Sequence, residues 1–239
     1  MTADSQRRSV RLIGIRALFV VLGLAAWFAT QAMIGARSPG SSPAELSAAG
    51  EVLVRGDAVL SWTADWHAAL ADNQPAAHAL LTASSLIIDA IGLFLLSWAV
   101  FGRSLRPFLG LLILFGLRQI CQAAVSLPAP TGIIWEDPGF PSLLVTYGVA
   151  NDFFFSGHTA LAVYGCVELG RFGGRKLWIP CAVVAVFQAF TVLLLRAHYT
   201  LDVFTGAVAA LVVAVLAAWL APPVDRLLAR FNPTQRPGN

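Results

Sequence analysis

His158, His198 and Asp202 are the residues of this chain whose types and spacing point most directly to chemistry. His198 and Asp202 stand four positions apart, so on a helix both fall on one face. A carboxylate that accepts a hydrogen bond from one imidazole nitrogen fixes the tautomer and leaves the other nitrogen's lone pair aimed at an electrophile. A His–Asp pair that merely caps a helix has the same spacing, and the pair alone does not separate the two readings. Ser156-Gly157-His158-Thr159 reads as a helix start, where unpaired backbone N–H groups and the positive end of the dipole favour an anion such as phosphate. Gly157 permits close backbone approach, and an imidazole beside it is placed to protonate a leaving oxygen. Ser and Thr at a helix start are also ordinary caps. A third polar cluster is Arg118, and Arg196 opens the run that holds His198.

These clusters interrupt a strongly apolar chain. Of 239 residues 57% are hydrophobic and only 12% charged, with mean hydropathy +0.72, far from the roughly one quarter charged residues of an ordinary soluble domain. The solvent is a bilayer. About 20 apolar residues cross its core, and candidate runs lie near 12–35, 79–101, 105–126, 153–169, 177–197 and 200–221. The expected fold is an all-α integral membrane bundle of six transmembrane helices, a single membrane domain over 1–239. Residues 1–11 and 222–239 are expected as cytoplasmic tails and 36–78 as an outer loop segment. In that segment Ser42-Pro43-Ala44-Glu45 has capping-box spacing, and Val52 to Leu70 reads as an amphipathic interfacial element.

The net charge of +3 does not indicate nucleic acid, because Lys and Arg flank apolar runs and form no basic stripe with interleaved aromatics. It sets topology instead. With both termini cytoplasmic, twelve Lys and Arg residues fall inside and only Arg37, Arg55, Arg118 and Arg196 outside. The same topology brings the three polar clusters to the outer ends of their helices, and the expected setting is a bacterial plasma membrane with the site on the periplasmic side. Cys121, Cys166 and Cys181 lie in apolar runs without metal-ligand spacing and read as packing residues. Asp89 falls mid-span, where a carboxylate is either functional or a polar contact to a neighbouring helix. Glu136 and Asp137 read as solvated loop residues or headgroup contacts, His67 and His78 as surface residues, and Glu168 as a partner of Arg171 or an adjacent basic residue.

Phe155-Ser156-Gly157-His158-Thr159, followed forty residues after its histidine by His198-Tyr199-Thr200-Leu201-Asp202, resembles the second and third signature motifs of the type 2 phosphatidic acid phosphatase (PAP2) superfamily. Asp152, four residues before Ser156, and Arg118 with Leu127-Pro128-Ala129-Pro130 are similar to the sphingomyelin synthase branch. The resemblance covers about 100–215, the expected catalytic core of a PAP2-like helical bundle. It implies that His198 is a nucleophile forming a phosphohistidine, that Asp202 orients it, and that His158 is acid and then base. Ser156, Gly157, Asp152, Arg118 and Arg196 are the implied phosphate- or substrate-binding residues, and no metal or cofactor is implied.

Two departures bear on substrate. A Lys is usual seven residues before the superfamily's Arg-Pro, and an Arg six residues before the nucleophilic His; here Ala99 precedes Arg106-Pro107 and Val192 precedes His198. Both missing cations clamp a phosphate dianion, so a phosphodiester, with one charge, is the better fit. Asn151 and Ala150 replace the Gly and Cys of the branch's motif. The implied reaction moves a phospho-headgroup from a phospholipid donor to a lipid hydroxyl or to water. The alternatives are a lipid phosphate phosphatase or phospholipase C-like hydrolase and, in another class, a non-catalytic transporter or scaffold.

Overall fold

A computed structural model describes residues 3–36, 43–125, 127–139, 142–145, 147 and 153–230. Among the described residues the regular elements are all helices: α1 (Ala3–Gly35), α2 (Pro43–Gly56), α3 (Ala58–Trp62), α4 (Ala64–Ala71), α5 (Gln74–Phe101), α6 (Arg106–Ala124), α7 (Gly157–Gly173), α8 (Arg175–Leu194) and α9 (Thr200–Arg230). Five are long and apolar enough to cross a bilayer: the Val10–Gly35 part of α1, α5, α6, α8 and α9. The expected fourth span, α7, is a 17-residue helix enclosed by α5, α6, α8 and α9. Close approach explains its place. A Cβ on Gly165 of α7 would run into Ile91 of α5, and one on Gly110 of α6 into Tyr164 of α7. The outward faces of α1, α8 and α9 carry exposed Leu18, Leu22, Val183, Val186, Leu211 and Val215, the exterior that hydrocarbon requires.

Both expected tails are partly helical. α1 starts at Ala3, and its Arg16 is buried, donating to the carbonyls of Gly102 and of Arg103, the latter at 3.2 Å. α9 continues through Pro222 and Pro223 to Arg230. A proline forfeits one N–H bond and crowds the preceding turn. The extension is nonetheless tied down, since Asp225 accepts from Ser104 Oγ at 2.5 Å and from the Leu105 N–H at 2.9 Å. Arg16 of α1, the end of α5, the start of α6 and the end of α9 therefore meet at one end of the bundle, where Glu168 near the end of α7 joins them through Arg106.

The outer segment departs further from expectation. α2 begins at Pro43, where the capping-box spacing put a helix start. Val52 to Leu70 is not one amphipathic element but the end of α2 followed by α3 and α4, with Trp62 and Trp66 exposed and Leu60 and His67 buried. Asp57 causes the break: it caps α3 by accepting from the N–H groups of Val59 (3.1 Å) and Leu60 (3.2 Å). The same carboxylate takes the Thr200 N–H (2.7 Å) and hydroxyl (2.6 Å), docking the segment on the α8–α9 turn.

Candidate active site

Between α8 and α9 the chain reverses in five residues. Arg196 adopts a left-handed φ of +52°, and the N–H groups of Ala197 and His198 both turn back to the Val192 carbonyl at 2.8 and 3.3 Å. This buries the His198 ring, with Nδ1 2.8 Å from the Phe153 carbonyl oxygen. A carbonyl only accepts, so Nδ1 carries the proton and Nε2 keeps the lone pair. Asp202 Oδ2 lies 3.6 Å from the same Nδ1 and accepts instead from the Tyr199 N–H at 3.0 Å. The expected direct Asp–His hydrogen bond is thus replaced by a backbone carbonyl that lies closer. Asp202 holds the start of α9 and adds negative charge beside the ring.

The start of α7 is built the same way. Phe155 has φ +77°, one of the two left-handed non-glycine residues among those described, the other being Arg196, and each stands just ahead of a histidine. Ser156 Oγ caps α7, accepting from the Thr159 N–H at 3.4 Å and lying 3.1 Å from its hydroxyl. The Ser156 N–H donates to the Asp202 carbonyl at 3.1 Å, so the two motifs share a main-chain bond. A Cβ on Gly206 would strike the Ser156 carbonyl, which is why α9 approaches this turn so closely. Arg118 Nε donates to the Phe155 carbonyl at 3.3 Å and its Nη1 to Gln31 at 3.2 Å.

His158, His198, Arg118 and Gly157 line one cavity of about 60 Å³, closed on other sides by Trp27, Trp135 and Phe115 among others. The His158 ring stands edge-on to Trp135 with centroids 5.0 Å apart, and its buried Nε2 has no hydrogen-bond partner among the described residues. A buried imidazole nitrogen without a protein partner, facing a cavity, is available to a ligand. The two expected histidines and the expected cation Arg118 are therefore brought together around one space.

Other expected residues fall elsewhere. Asp152 lies outside the described residues. Ser156 spends its hydroxyl on the cap. Arg196 turns away and donates to the Thr131 carbonyl at 2.9 Å, beside His67 and Gly132. Burial lowers the Arg196 pKa, and burial, reinforced by the Arg196 charge, lowers that of His67, whose Nδ1 bonds the Leu194 carbonyl at 2.9 Å. His67 is a buried brace of the turn, not a surface residue. Asp89 meets neither expectation: its oxygens accept from the N–H groups of Leu143 (2.8 Å) and Leu144 (2.9 Å), pinning a loop into the bundle. Arg106 sits at the opposite end, 2.9 Å from Glu168, which also takes Arg171 at 3.1 Å. The Arg106-Pro107 pair is thus no counterpart of the phosphatase motif, and the departure at Ala99 loses its bearing on substrate. Arg118 is the cation of the cavity.

Sequence reasoning missed Trp27, Gln31, Trp135, the Phe153 carbonyl and Asp57. A glutamine late in the apolar run of α1 was the one visible signal. Among the described residues no three His, Cys, Asp or Glu side chains gather as a metal group, and the three cysteines are free.

A membrane bundle that brings two histidines and an arginine to one cavity has the build of a multi-pass membrane protein. The family model described as AtPDCT1/2 matches residues 57–219, and the chain belongs to that family. It is similar to phosphatidylcholine:diacylglycerol cholinephosphotransferase 1 of Arabidopsis thaliana, 29% identical over 110 residues, or 46% of this chain and 35% of the relative. Phosphatidylcholine:diacylglycerol cholinephosphotransferase 2 of the same plant is 28% identical over 110 residues, 46% of this chain and 36% of the relative. The chain spans little more than a third of the length of these curated relatives. Their plant origin lends the expected bacterial setting no support. No solved structure matches.

Proposed function

We propose that the protein is a membrane lipid headgroup phosphotransferase that moves phosphocholine from phosphatidylcholine to the hydroxyl of diacylglycerol through a phosphohistidine on His198. The observation that carries this reading is the His198 Nδ1–Phe153 carbonyl bond, which leaves Nε2 as a bare lone pair in the cavity shared with His158 and Arg118. The names of the relatives supply the substrate pair. The likeness of FSGHT and HYTLD to the PAP2 superfamily and its sphingomyelin synthase-like branch supports the chemistry.

Nε2 attacks phosphorus, and the N–P bond forms as the P–O bond to the donor's glycerol breaks. Burial, His198 and Arg118 keep His158 neutral until the anionic phosphodiester binds beside it and brings a proton onto the ring, and His158 gives that proton to the departing alkoxide. In the second step the acceptor hydroxyl passes its proton to His158 as its oxygen attacks phosphorus and the N–P bond breaks. Arg118 offsets the single charge of the phosphodiester and the charge that develops on it. The scheme uses no metal or cofactor. By the twelve-to-four distribution of Lys and Arg the cavity faces the outer side of its membrane.

Purified protein in nanodiscs with choline-phosphate-labelled phosphatidylcholine and unlabelled diacylglycerol is expected to exchange label and to yield an acid-labile phosphoenzyme that His198→Ala abolishes. Release of free phosphocholine as the sole product would make it a hydrolase. Full turnover in both His198→Ala and His158→Ala would sink the mechanism.

A further inference from the structure

A second cavity of about 210 Å³ lies between α1 and α6, with Leu96 of α5 behind it. It lacks the histidines and arginine of the first: apart from Thr30 and Gln119 its walls are aliphatic or aromatic carbon or glycine. Along α6 it reaches from Phe108 to Gln119, eleven residues or about 16 Å, more than half of a hydrocarbon core of about 30 Å. Leu112 and Gly116 are exposed, so the groove opens on the lipid-facing perimeter.

The two cavities share three walls: Trp27, Phe115 and Leu144 line both. The Trp27 and Phe115 rings pack with centroids 5.1 Å apart, and Leu144 is fixed between the chambers because Asp89 holds its N–H and that of Leu143. Non-helical backbone at this depth is tolerated only where it is satisfied by protein, and Asp89 supplies that satisfaction. The buried carboxylate at mid-span is thereby explained as the anchor of a partition.

We infer that the α1–α6 groove holds one acyl chain of the lipid whose phosphate occupies the histidine cavity, with Trp27, Phe115 and Leu144 marking the boundary between headgroup and tail. This rests on the proposed reaction. A phosphate reaches a buried Nε2 at least cost if the chain attached to it keeps apolar surroundings on the way, since exposing methylenes to water is costly. An apolar groove that runs into the chamber wall and opens to the bilayer meets that requirement. The wall that the two cavities share favours a substrate chain over a second protein.

The test uses phosphatidylcholine with a diazirine at the end of one oleoyl chain, in nanodiscs of dioleoyl phosphatidylcholine, together with the variant Gly116→Trp. A Cβ at Gly116 meets nothing within 4 Å, so the indole is directed into open space without displacing backbone. Photolabel is expected on α1 and α6 peptides spanning Gly23–Thr30 and Leu111–Gln119, and is lost in Gly116→Trp. The ratio of long-chain (dioleoyl) to short-chain (dihexanoyl) turnover should fall at least tenfold in that variant. Val186→Trp, on the exposed face of α8, should leave the ratio unchanged. Label scattered evenly around the perimeter, label on a second copy of the chain, or a ratio within twofold of wild type overturns the acyl-chain site and leaves the reaction standing. Labelling confined to the groove in a wild-type protein that transfers no headgroup retires the reaction and keeps the chain site.

Discussion

At one end of the bundle Glu168, wholly buried, is held between Arg106 and Arg171, while Asp225 takes Ser104, the Leu105 N–H and, at 3.8 Å, Arg16. At the other end His158 and His198 are almost as deeply buried, yet the Nε2 atom of His158 meets no protein partner and both rings border empty space. Both ends place polar groups at the margins of an apolar protein, and both contain an arginine bonded to backbone carbonyls. What separates them is closure. Charges that answer one another fix helices in place, whereas groups left facing a cavity are free to answer a ligand. Burial of a titratable residue in a membrane protein does not by itself mark a site; an unanswered polar atom beside a void does.

Substitutions at the two ends should therefore fail in different ways. His198→Ala is expected to lower transfer by four orders of magnitude or more, about what losing a nucleophile costs, with an unchanged melting profile in detergent. Glu168→Ala should do the converse. Removing one partner of a buried ion pair costs about 3–5 kcal/mol, read as a lower midpoint of unfolding, while the folded fraction keeps its specific activity. If Glu168→Ala instead abolished turnover at full stability, the contrast between the ends would collapse. Arg118→Ala belongs with the open end and should cost about 10²–10³-fold in kcat/KM, the usual effect of deleting one oxyanion-stabilising donor.

The smallest expected effect concerns His67, which braces the turn from outside the cavity. Burial holds its pKa below the usual value of 6.5, so the unfolded chain binds a proton that the folded chain resists. Stability is thus expected to be full above pH 6.5 and to decline as pH falls below it. A pH series of melting temperatures should show this decline, flattened in His67→Gln. An unaltered slope in that variant would assign the decline to other groups.

What the sequence made legible follows the range of the interaction. The apolar runs announced α1, α5, α6, α8 and α9, because crossing a bilayer needs only local composition. The Ser156 cap and the four-residue step from His198 to Asp202 were visible for the same reason. The Phe153 carbonyl that orients His198 lies 45 residues away, and the Asp57 carboxylate that docks on Thr200 lies 143 away. No period or spacing encodes such pairings. Arg106-Pro107 misled because an Arg-Pro pair at a helix start is as good a capping signal as a catalytic one. His67 looked exposed because its segment reads as polar, and Asp89 looked ambiguous because the loop it anchors is far along the chain.

The partner of the His198 ring is main chain, and that has an evolutionary corollary. A carboxylate in that position could be lost by one codon change or silenced by acid, but a peptide oxygen has no side chain to mutate and does not titrate over the working range. The proton on the outer nitrogen is guaranteed by the path of the polypeptide at Phe153, and that path is held by the packing of Gly206 on Ser156. Substitution at acidic positions nearby can then leave the tautomer of His198 untouched, because it is inherited with the fold.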